Sequence, residues 1–121
     1  LEEFAKALSD FDIIWNQEVF SGMNSFKNKL VTMGTKAGFK YHALPAKPNF
    51  WSKHLIDSGL LILSRFPIIE KDELKFTKYL KDWSASSKGV LYAKILINGS
   101  KLHLFNTHLQ ANYYNSAYIY K

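Results

Sequence analysis

The sequence predicts an α/β fold built on a mixed or antiparallel sheet, and three observations carry this. Helical periodicity occurs near residues 1–8 and 23–37. Five or six short apolar or alternating segments read as strands between them and after them. Near the end, Asn98-Gly99 separates two strand patterns. An Asn-Gly pair in that position signals a two-residue hairpin, because a type I′ turn needs positive φ at both central residues.

Taken in order, Leu1, Phe4, Ala5 and Leu8 share the i, i+3, i+4, i+7 face of a first helix. Asp12 to Glu18 holds the apolar run Ile13-Ile14-Trp15 and reads as a buried strand. Over 23–37, Phe26, Leu30, Met33 and Ala37 fall on one helical face. Gly38 suits the position after the helix, where a left-handed conformation costs glycine little. Phe39 to Leu44 is a short strand, and 45–57, with Pro45, Pro48, Phe50 and Trp51, is a loop. Gly59 to Leu63 is a solidly apolar strand ended by Ser64-Arg65-Phe66-Pro67. Residues 68–78 read as a polar, edge-like strand, and 79–88 as an irregular loop. Val90 to Ile97 and Lys101 to Thr107 form the hairpin arms. A last helix begins near Asn115.

Composition narrows the class. At 121 residues, 47% of them hydrophobic and 21% charged, the chain is a folded domain or part of one, not a disordered segment. It has no cysteine, so disulfide scaffolds, iron–sulfur clusters and cysteine-based zinc sites are excluded. No apolar run approaches the roughly 18 residues of a membrane span, and the acidic LEEFAKALSD start is not a signal peptide. The net charge of +6 comes almost wholly from scattered lysines, with Arg65 the single arginine. This fits a compositional bias or an attraction to anionic membranes and phosphate-bearing substrates.

Four segments carry candidate chemistry. Glu18 ends an apolar strand in Trp15-Asn16-Gln17-Glu18-Val19-Phe20. A carboxylate there is either solvent-exposed at the strand end or paired with a cation, since burial alone is costly. Asp57-Ser58-Gly59 opens the apolar strand that Arg65 and Pro67 close, and taken alone it reads as core. Lys88 precedes Gly89 at a strand start, where it either faces a phosphate as a point charge or is ordinarily solvated. His108 ends the last strand in Asn106-Thr107-His108-Leu109-Gln110-Ala111, and a lone histidine there is commonly structural.

Taken together and in order, these segments resemble the endonuclease/exonuclease/phosphatase superfamily, and within it the neutral sphingomyelinases. The Gln17-Glu18 pair, Ser64-Arg65-x-Pro67 and Thr107-His108-Leu109 are the generic marks. Glu18-Val19-Phe20, Asp57-Ser58-Gly59, Lys88-Gly89 and His108-Leu109-Gln110-Ala111 are the marks of the branch. The resemblance runs from about residue 10 to residue 112.

It implies a four-layer β-sandwich flanked by helices and a Mg²⁺-dependent phosphodiesterase that hydrolyses sphingomyelin to ceramide and phosphocholine. Glu18 matches the glutamate that holds the metal, and oxygen ligation suits a small hard cation. His108 matches the histidine that stabilises charge on a phosphate oxygen. Lys88 matches a lysine close to the active site, and Asp82 is the candidate for the aspartate that precedes it. Asp57 matches one ligand of a second metal site at the edge of the fold, although Ile56 and Gly22 stand where its companions belong. A lipid substrate implies a membrane surface as partner. Phe50 and Trp51, between Lys47 and Lys53, suit contact with it; packing beneath the loop is the other reading of Trp51. Nucleic acid enters only under the alternatives, a nuclease or an inositol-phosphate phosphatase of the same superfamily. A catalytically dead lipid- or protein-binding module is the alternative of another class.

The family's Gly-Asp-x-Asn segment and its terminal Asp-His pair, whose histidine activates water, do not occur in this sequence. Residues 1–121 are therefore expected to form the N-terminal half of one phosphodiesterase domain, roughly its first sheet and helices. Such a half is expected to be inactive alone and to expose apolar surface.

Overall fold

The structure, a computed structural model, describes residues 2–20, 25–46, 57–76 and 87–109. Asp82, Phe50, Trp51, Gln110, Ala111 and the helix read from Asn115 lie outside the described residues.

The chain opens with helix α1 (Glu2–Ala7) and a 3-10 turn (Leu8–Asp10), followed by strand β1 (Ile13–Asn16). Helix α2 (Phe26–Lys36) and strands β2 (Tyr41–Ala43) and β3 (Leu61–Ser64) come next. Strands β4 (Ile68–Lys75), β5 (Gly89–Ile97) and β6 (Ser100–Thr107) complete the order. They form two three-stranded sheets, β1-β3-β2 and β4-β5-β6, in which every pairing is antiparallel.

Local chemistry sets the turns. Asn98 and Gly99 have φ of 48° and 83°, so the β5–β6 hairpin turns where the Asn-Gly pair demands it. At the end of α2, Gly38 has φ 96°. Its N–H donates to Thr35 O at 3.0 Å, and the Phe39 N–H donates to Gly34 O at 2.8 Å. These two bonds satisfy carbonyls that the helix end would otherwise leave open.

Strand β3 is buried on both faces, and this positions everything else. Leu61 and Leu63 point to the helices, where they meet Leu8, Val19, Leu30 and Phe39. Leu60 and Ile62 point the other way and, with Ala43, meet Leu91, Ala93 and Ile95 of β5. Each such fully buried Leu or Ile contributes about 1.5–3 kcal/mol. The layers thus run helices, sheet, sheet. This corrects the expectation that the chain supplies roughly one sheet: the alternating inward residues of β5 already form part of the facing layer.

Two further expectations change. The inward face of α2 carries Lys27, Leu30, Val31 and Gly34, whereas Phe26 is 45% exposed. The helix is rotated because Gly34 lets it close on β3; a Cβ there would lie 2.8 Å from Leu63 Cδ1. Trp15 is 58% exposed rather than buried, and β1 is an edge strand among the described residues.

Arg65 fastens the helical layer. Its Nε donates to Phe11 O and its Nη1 to Ala37 O, both at 2.9 Å. The guanidinium also lies 4.4 Å from the centre of the Phe39 ring. One planar group thereby joins the chain before β1 to the end of α2.

His42 on β2 is partly desolvated and faces the Lys71 ammonium, so its pKa is lowered from the usual 6.5, burial being the larger cause. The folded state then binds fewer protons than the unfolded state just below that value. Stability should therefore fall as pH drops through the mid-6 range. His42→Gln is expected to flatten this dependence in melting curves recorded at several pH values between about 5 and 8. An unchanged slope would assign the dependence to other groups.

Candidate active site

The site forms where β1, β5 and β6 meet at one end of the sandwich. Gln17 and Asn106 bring these strands together. The Gln17 side-chain amide donates to Thr107 O. Asn106 is 2% exposed, and its Nδ2 donates to Asn16 O at 2.9 Å and to Leu61 O at 3.3 Å. Asn106 is on the inner face of β6, in register with Leu91. It crosses to the paired residues Asn16 and Leu61 of the first sheet. Thr107 Oγ1 in turn donates to Gly89 O at 2.8 Å, tying β6 to the start of β5.

These ties place Glu18 and His108, ninety positions apart in the chain, side by side. His108 Nε2 lies 3.6 Å from Glu18 Oε1. The Glu18 side chain is 71% exposed and the His108 side chain 25%. The carboxylate therefore faces solvent while the imidazole is held in the wall. His108 Nδ1 is buried and meets no hydrogen-bond partner among the described residues.

Glu18 has φ 60°. A left-handed conformation costs a non-glycine residue roughly 1–2 kcal/mol. Its neighbours hold it there. Val19 is 4% exposed in the helical core, and its N–H donates to Gly59 O at 2.8 Å. The Phe20 ring lies over Gly59, where an added Cβ would come within 2.7 Å of Phe20 Cε1.

Lys88 is half-buried just before β5, at the same end of the sheet as His108. Gly89 follows because β4 passes too close for a side chain: a Cβ would lie 2.3 Å from Leu74 O. Asp57 stands two residues before Gly59. It is 2% exposed, and its Oδ2 lies 2.7 Å from the Nζ of buried Lys27. An ammonium of the protein thus faces this buried carboxylate.

The donor set fits a magnesium ion in one respect. Mg²⁺ commonly takes one or two carboxylates and completes its shell with water and substrate phosphate. Glu18 offers such a carboxylate to solvent, although the described residues contain no cluster of three His, Asp or Glu. Sequence reasoning singled out Glu18, His108 and Lys88 but missed the work of Asn106 and Lys27. Lys27 had a signal: with Leu30, Val31 and Gly34 it completes a helical i, i+3, i+4, i+7 set.

Known proteins resemble this chain in sequence and in fold. No protein-family model matches the chain. A sphingomyelinase of Dictyostelium discoideum is 36% identical over 115 residues, covering 88% of this chain and 25% of the relative. Sphingomyelinase C of Bacillus cereus is 29% identical over 117 residues, covering 88% of this chain and 34% of the relative. The chain thus spans about a quarter to a third of the length of these curated relatives. Among solved structures, a β-hairpin deletion mutant of the beta toxin of Staphylococcus aureus superposes with a TM-score of 0.73 at 25% identity, over 91% of this chain and 44% of that one. A further form of beta toxin, solved with bound magnesium ions, gives 0.71 at 25% identity, over 90% and 42%. An endonuclease/exonuclease/phosphatase family protein from Leptotrichia buccalis shares the fold at a TM-score of 0.59 and 18% identity, over 88% and 46%. Over most of its length the chain is thus similar to sphingomyelinases, and it shares the fold of an endonuclease/exonuclease/phosphatase family protein.

Proposed function

We propose that the full-length protein carrying this chain is a Mg²⁺-dependent phosphodiesterase that hydrolyses sphingomyelin to ceramide and phosphocholine. The observation that carries the reading is the meeting of Glu18 and His108 at 3.6 Å on the joined ends of β1 and β6. Residues 1–121 serve as the N-terminal half of its catalytic domain.

Glu18 holds the metal, which when bound supplies Lewis-acid neutralisation of the phosphodiester charge. His108 Nε2 donates to a non-bridging phosphate oxygen as charge gathers there in the transition state. Lys88 adds a point charge at the same end of the sheet, and Asp82 is its candidate catalytic partner. In the reaction, water forms the new P–O bond and the P–O bond to the ceramide oxygen breaks. The water's proton would pass to a base, for which the family's terminal Asp-His motif is the candidate, and the departing ceramide oxygen would take up a proton, so that ceramide leaves as the alcohol. Binding and orientation of the phosphate are the share of the present residues.

The substrate is reached at a membrane surface, with Phe50 and Trp51 as contacts. No helix among the described residues is long and apolar enough to cross a bilayer.

The test is an assay of the full-length protein on sphingomyelin vesicles and on plasmid DNA, with Mg²⁺ and with chelator. Release of phosphocholine that stops on chelation is the expected result. Cleavage of DNA without lipid hydrolysis would move the protein to the nuclease branch, and hydrolysis of neither would leave a binding module.

A further inference from the structure

The buried Lys27–Asp57 pair lies outside the site, yet a continuous series of bonds leads from it to Glu18. Lys27 Nζ holds Asp57 Oδ2 at 2.7 Å. Asp57 Oδ1 accepts the Gly59 N–H at 2.8 Å. Gly59, at φ 68°, offers its own carbonyl to the Val19 N–H, also at 2.8 Å. Val19 follows Glu18, whose φ of 60° persists only while its neighbours enforce it. The Phe20 ring pressed on Gly59 closes the same turn from the other side.

We infer that Lys27 and Asp57 are positioning residues for the Glu18 carboxylate. The ammonium fixes one carboxylate oxygen, so the other is aimed at the Gly59 N–H. That bond sets the Gly59 turn, and the turn sets the backbone on which Glu18 is presented to solvent. A buried ion pair is weak support for stability, because desolvation offsets much of its attraction. Its value here is geometric: it fixes one conformation of a residue that would otherwise relax to negative φ. The inference rests on the proposal that Glu18 holds Mg²⁺ and adds how its geometry is maintained.

The experiment measures Mg²⁺ binding to the full-length protein by titration calorimetry without lipid. Removing one partner strands a buried charge and endangers folding, so both are changed together. Lys27→Met with Asp57→Leu removes the acceptor facing Gly59 without leaving a charge. Lys27→Gln with Asp57→Asn is neutral but keeps an oxygen for that N–H. The Met/Leu pair is expected to bind Mg²⁺ about tenfold more weakly, and the Gln/Asn pair to stay within about threefold of the parent. In a Glu18→Gln background the Met/Leu pair should cause no further loss, since groups acting through one residue are not additive. Parent-like binding by the Met/Leu pair, or an equal loss in the Glu18→Gln background, would reduce Lys27 and Asp57 to a structural role and overturn the inference. Absence of Mg²⁺ uptake by the unmodified protein would overturn this inference and the metal assignment together, a result distinct from either of those.

Discussion

Glu18→Gln in the full-length protein is expected to lower phosphodiesterase turnover about 10³-fold, equivalent to about 4 kcal/mol of transition-state stabilisation. The substitution keeps size and shape and removes only the charge. Glu18 is mostly exposed, so the fold should be unaffected. The loss should be partly recovered by raising Mg²⁺, because a neutral amide oxygen is a weaker ligand and not an absent one. His108→Ala is the companion change. On the proposed assignment it removes a donor to phosphate, and an effect of about 10²–10³-fold that added metal does not recover is expected. The two variants therefore separate by their metal dependence in steady-state assays on sphingomyelin. Near-normal turnover in either would show that the residue has been given the wrong role.

Arg65→Ala is expected to destabilise the full-length protein by about 2–4 kcal/mol, read from urea unfolding. The guanidinium bonds Phe11 O and Ala37 O and stacks on Phe39 at once. Its loss frees the end of α2 from the chain entering β1. Arg65→Lys should restore little, because an ammonium cannot present the planar fork that reaches both carbonyls. The clamp is tightly fitted: a Cβ on Gly38 would lie 2.4 Å from Arg65 Nη1. A change of less than about 0.5 kcal/mol would place the arginine among ordinary surface residues.

Much of this architecture was legible because short-range chemistry decides it. Asn98-Gly99 could only turn, Gly38 could only end a helix cheaply, and the unbroken apolar run Leu60-Leu61-Ile62-Leu63 required cover on both faces. What escaped depends on partners far along the chain. The face that α2 buries was set by a glycine fitting Leu63 and by a lysine meeting Asp57, not by its largest apolar residues. Trp15 is exposed although its neighbours are apolar, because edge position overrides composition. Glu18 and His108 were recognisable from their motifs, but their proximity was not, nor was the left-handed backbone of Glu18. Asp57 was recognisable from its motif, but the lysine beside it was not.

Asn106 gives the arrangement a mechanical character. One amide reaches the carbonyls of two strands in the opposite layer, two residues before His108 and at the level of Asn16, two residues before Glu18. The joint between the layers and the alignment of Glu18 with His108 are therefore a single adjustment. If the sandwich slips by one strand spacing, about 4.8 Å, the imidazole and carboxylate lose each other entirely.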